Sequence, residues 1–114
     1  MRRSLALVAA LGFSLLTACP ASEGGGEHAA LVKRGKVVFE TNCTACHARD
    51  PRADGPVGPA NACASSELLD AKLMRNEYPP GYTPKRDTQA MAPLPYLEKE
   101  LPALAAYLQS IGCE

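Results

Sequence analysis

The sequence predicts a small all-α domain, on three observations. Apolar residues recur every three or four positions in segments on either side of the chain's centre, no run alternates apolar and polar residues as a half-buried strand would, and five prolines between residues 78 and 95 exclude a regular element there. The chain has 114 residues, with 12 Lys+Arg against 12 Asp+Glu. That is enough for one domain, and it leaves no net charge to attract nucleic acid. There is no Trp, and the aromatic residues are four Tyr and two Phe. A large side-chain core therefore has little to build on. Five cysteines in so short a chain point to a metal, a covalent cofactor or an oxidising compartment.

Residues 1–18 read as an export signal rather than as part of the fold. Arg2 and Arg3 precede an apolar run from Leu5 to Leu16, too short to span a bilayer as a helix. The run ends in Leu16-Thr17-Ala18-Cys19, which resembles a bacterial lipobox, with Cys19 as the lipidated first residue of the mature chain. Its removal leaves 10 basic residues against 12 acidic ones. Residues 19–27, rich in Gly and polar side chains, are expected to form a flexible, lipid-anchored tether. With no internal repeat or second linker beyond them, residues 28–114 form one domain.

Its first helix is expected over Ala29 to Thr41, where Leu31, Val32, Gly35, Val38 and Phe39 share one face and Lys33, Arg34, Lys36 and Glu40 lie elsewhere. Ser65 or Ser66 can cap a second helix that runs to about Asn76, with Glu67 in its first turn and Leu68, Leu69 and Leu73 inward. The last helix carries Leu101, Leu104, Ala105, Leu108 and Ile111 on one face and ends at Gly112. Pro102 is tolerated only in its first turn, which places the start near Lys99.

The chemistry lies in Cys43-Thr44-Ala45-Cys46-His47, directly after the first helix. Two thiols at this spacing can reach the two vinyl groups of one haem, and a His following the second thiol is carried under the iron as an axial ligand. A zinc site would want a second Cys/His pair, and a thioredoxin-type dithiol would want a βαβ context. Haem attachment is the stronger reading.

From about Leu31 to Ile111 the sequence resembles class I cytochrome c. Gly35 and Phe39 match that family's positions on the N-terminal helix, and Leu104 and Tyr107 match their partners on the last helix. Gly58-Pro59 resembles the loop whose proline carbonyl accepts the Nδ1–H of the axial His, here His47. The resemblance implies crossed N- and C-terminal helices, with a third helix and Pro-rich loops wrapping one covalent haem c. It places the sixth ligand at Met91, before the last helix, although the family's usual Met-Pro reads Met91-Ala92-Pro93 here. Met74 is expected to pack inside the second helix, and His28 to be solvated.

A His/Met pair raises the reduction potential relative to two imidazoles and leaves no position for substrate, so the expected role is an electron carrier and not an enzyme. The alternatives are a gas sensor or ligand binder with a dissociable Met91, or an electron-accepting subunit of a larger oxidoreductase. Partners are expected to be redox proteins of a respiratory or other periplasmic electron-transfer chain, with the membrane reached through the lipid anchor and no nucleic acid involved. Cys63 and Cys113, left over after lipid and haem, suggest an internal disulfide. Tyr78, Tyr82, Arg75, Lys85 and Arg86 receive no assigned role.

Overall fold

The computed structural model describes residues 23–113; residues 1–18 and Cys19, on which the export and lipid-anchoring expectations rest, lie outside them. Helix α1 is Glu23–Asn42 and helix α2 is Ser66–Asp70, continued by a π-helical turn at Ala71–Arg75. A 3-10 turn at Pro95–Glu100 leads into helix α3, Leu101–Ser110. No strand occurs among the described residues.

The contact between α1 and α3 is the most extensive in the fold. It forms because Gly35 has no side chain. A Cβ there would overlap the Ala103 carbonyl and stand 2.7 Å from Tyr107 Cβ, so only glycine lets the backbones approach this closely. One turn further along α1, Phe39 is fully buried and its ring centroid lies 5.7 Å from that of Tyr107, tilted by 52°. Leu73, Leu104 and Leu108 complete the centre of the core. At the edge of the crossing the Arg34 guanidinium makes two hydrogen bonds to Glu100, one of them 3.0 Å from Nε to Oε2, which fixes how α1 meets the start of α3.

Helix α1 begins earlier than the sequence predicts. The sequence predicts a flexible tether as far as Glu27 and a helix from Ala29, but α1 already includes Glu23. Once the turns from Val32 onward are anchored on α3, adding a residue to the helix needs no new nucleation, and propagation carries it back. Residues 24–30 are all exposed, so among the described residues only this propagation holds the first turns, and Gly24–Gly26 weaken them further.

The second helical segment starts as expected: Ser65 is its cap, and its Oγ accepts the Leu68 N–H at 3.1 Å. It ends at Asn76, which adopts a left-handed conformation at φ 56°. The wider π turn before Asn76 leaves Ala71, Lys72 and Leu73 all buried, three residues in succession. Met74 is half-buried against the core. At the far end Pro102 falls in the first turn of α3, and Leu101, not Lys99, opens that helix because the preceding turn is 3-10. Gly112 then leaves it at φ 88°. Cys63 and Cys113 are joined in a disulfide, with Cα atoms 5.1 Å apart. The Cys63 N–H also donates to the Leu108 carbonyl at 2.8 Å, so the loop after Pro59 is tied once to α3 and once to the chain just beyond it.

Candidate functional site

Past Asn42 the chain keeps a helical turn long enough for the Cys43 N–H to reach the Phe39 carbonyl at 2.9 Å, and the His47 N–H reaches the Cys43 carbonyl at 2.9 Å. This turn sets Cys43 in the core and Cys46 at the surface. Burial pushes the Cys43 thiol up to about 11, so the free side chain is protonated at neutral pH. Cys46 faces a cavity whose lining Cys43 does not reach directly.

His47 is oriented by the loop opposite. Its Nδ1 lies 2.9 Å from the Pro59 carbonyl oxygen. Because a carbonyl only accepts, the proton sits on Nδ1 and the Nε2 lone pair is left for another partner. Gly58 lies flat against the ring: a Cβ there would be 2.5 Å from Nδ1. The loop is closed on its inner side by the Gly58 and Val57 N–H groups, which donate to the Cys46 carbonyl at 2.8 and 3.1 Å. The motif and the loop that orients its histidine thus hold each other in place.

The cavity beside this ring has a volume of about 350 Å³. Met91 lies on its lining together with His47 and Pro59, and Leu68, Leu69 and Leu73 form an apolar wall. The Cys46-His47 pair, Pro59 and Met91, from three separate stretches of sequence, therefore share one cavity. His28 is exposed on α1, away from it. The sequence profile of the cytochrome c family matches residues 32–112. The chain belongs to the cytochrome c family. No curated protein and no solved structure matches it significantly.

Membership of the cytochrome c family implies covalent haem c, electron transfer rather than catalysis, redox proteins as partners, and export as the usual fate. The residues present fit that group. Three cations, Lys72, Lys85 and Arg86, line the cavity, and among the described residues no Asp or Glu does. A mostly apolar, positively charged cavity suits a large flat ligand with carboxylates at its edge. Asn61 also lines it, and its buried Oδ1 has no partner among the described residues. An amide flip exchanges Oδ1 for Nδ2, which lets this side chain offer a donor to a carboxylate.

Sequence reasoning passed over Lys72. It is 8 % exposed, donates from Nζ to Asn76 Oδ1 at 2.7 Å, and sits 4.2 Å above the centre of the Tyr78 ring. The signal was present, because Lys72 follows Leu68 by four residues and Leu69 by three, which puts a cation on the apolar face of its helix. Tyr78 and Tyr82 stack with centroids 5.4 Å apart and line the same cavity. Arg75 points elsewhere and pairs with Asp70 at 2.9 Å.

Proposed function

We propose that the chain is an exported, lipid-anchored monohaem electron carrier on the periplasmic side of a bacterial membrane. In this reading Cys43 and Cys46 would hold the haem through thioethers, and His47 and Met91 would ligate its iron. The observation that carries it is the arrangement of the His47 ring. Its Nδ1 is committed to Pro59, its Nε2 is left for the iron, and Met91 lines the same cavity. Haem c bound there supplies a one-electron couple.

Each side chain has a defined part. The Pro59 carbonyl keeps the proton on Nδ1 and makes the imidazole a better donor. Met91 offers a soft, neutral thioether, which favours the ferrous state relative to a second imidazole. Leu68, Leu69 and Leu73 keep water away from one wall. If His47 and Met91 both held the iron, no position would remain for substrate, which is the case for a carrier. Lipid anchoring rests on Arg2, Arg3, the apolar run and Leu16-Thr17-Ala18-Cys19.

A pyridine haemochrome assay on exported protein is expected to report one haem bonded through two thioethers, with low-spin spectra in both oxidation states. Met91→Ala should keep the haem, lower its potential and open the iron. An unchanged absorption spectrum would remove Met91 as ligand, and a ferrous protein that is five-coordinate and binds carbon monoxide would mark a ligand binder instead. Cys19→Ala should abolish partition into detergent.

A further inference from the structure

Residues 83–93 contain Met91 and form no regular element. Leu94, just beyond, is held by its N–H to the Leu73 carbonyl at 2.7 Å. Within 83–93 the Ala90 N–H turns back to Thr88 Oγ1, a bond internal to the segment. Among the described residues, every hydrogen bond from 83–93 to the rest of the chain comes from two side chains, Lys85 and Arg86. A segment with no regular element, held by so few hydrogen bonds besides the packing of Met91 on the core, depends heavily on each of them.

Both fasten to one place. Lys85 Nζ donates to the Ala60 carbonyl at 2.8 Å, and Arg86 donates to the Val57 carbonyl at 2.6 Å and the Gly55 carbonyl at 3.5 Å. These carbonyls flank Pro59, the acceptor for His47. Asp54 steadies the same loop from its other end, because its Oδ1 accepts the Ala60 N–H at 2.7 Å while its Oδ2 lies 3.5 Å from the Arg86 guanidinium. The loop that orients His47 and the segment that carries Met91 are thus stapled together at the rim of the cavity.

We propose that Lys85 and Arg86, with Asp54 behind them, are positioning residues that hold the Met91 thioether opposite His47 against displacement by outside ligands. This rests on Met91 being the sixth ligand. Neither side chain needs to touch the iron. Without the staple the segment stays attached at Leu94 and through the Tyr78–Tyr82 stack, so the fold survives while Met91 gains freedom.

Imidazole binding to the ferric holoprotein, followed by stopped-flow absorbance, tests this. Lys85→Met and Arg86→Met are each expected to speed displacement of the native sixth ligand, and the double variant to do so by about tenfold, the scale of one or two net hydrogen bonds. Arg86→Lys, which keeps the charge and one donor, should recover part of the loss. Arg75→Ala, an exposed cation paired with Asp70, should bind imidazole at the wild-type rate. Wild-type kinetics in both single variants and the double variant would overturn the proposal. If Met91→Ala opens the iron while these variants do not, the staple alone is refuted; if Met91→Ala changes nothing, the ligand assignment has failed first. Should the double variant not fold, the two single variants decide the matter.

Discussion

Replacing Gly35 by alanine tests the crossing on which the rest of the fold is built. The added Cβ would stand 2.6 Å from the Ala103 carbonyl carbon and 2.7 Å from Tyr107 Cβ. Carbon atoms pack best at about 3.5–4.0 Å, so α1 and α3 must part locally by roughly 1 Å. The Ala103 carbonyl is backbone and cannot rotate out of the way. Overpacking of this kind costs about 1–3 kcal/mol. Alanine returns up to about 1 kcal/mol of helix propensity, which leaves a net loss near 2 kcal/mol at the upper end of the strain. For a domain of this size that is a fall in Tm of about 8–16 °C. The assay is thermal unfolding of the holoprotein by far-UV circular dichroism, with Gly26→Ala as its counterpart. At Gly26, apart from the neighbouring turns of its own helix, nothing among the described residues lies within 4 Å of the added atom, so the same change should leave stability equal or slightly raised. A Gly35→Ala protein that melts at or above the wild-type temperature would show that the helices do not approach at this residue.

The remaining predictions concern the cavity and its loop. Lys72→Gln removes a buried cation that disfavours the more positive ferric state, so the potential should fall; a tenfold change in the ferric-to-ferrous ratio corresponds to about 59 mV for one electron. An unchanged value in an optical redox titration would place the Lys72 charge out of reach of the iron. Gly58→Ala presses a methyl group against the His47 ring and should weaken its bond to Pro59, shifting the spectrum toward a mixed or high-spin form relative to the low-spin one expected of the wild type. The Asp54 carboxyl is held below its usual range, first by the Ala60 N–H and then by the charges of Arg86 and Lys85. A depressed folded-state pKa contributes stability above the unfolded value of about 3.9 and loses it as the pH falls through the folded value. Asp54→Asn should therefore be less stable than wild type at neutral pH, with the gap closing in acid, as read from urea unfolding at a series of pH values.

Much of this protein is written in short stretches of sequence. The apolar spacing around Val38 and Phe39 and around Leu104 and Leu108 marks two of the helices, and Ser65 marks the start of the third. Pro102 limits where α3 can begin, and Cys43, Cys46 and His47 carry their chemistry in five consecutive positions. These features are legible because each depends on neighbours along the chain, through helical period, a cap hydrogen bond or the fixed reach of two thiols. What lay beyond them depends on segments that meet only after folding. No local pattern announces that Lys85 and Arg86 will find the carbonyls of the 55–60 loop, or that Gly58 will lie against an imidazole eleven positions earlier in the chain. The extent of α1 back to Glu23 was likewise hidden, since glycine-rich sequence argues for a tether and only a helix anchored downstream can override it. The sequence by itself determined where the three helices lie and set Cys43, Cys46 and His47 in one short motif. The tertiary structure decided which charges enter the cavity and which loops hold each other, because those outcomes follow from the crossing of α1 and α3 and the space it leaves.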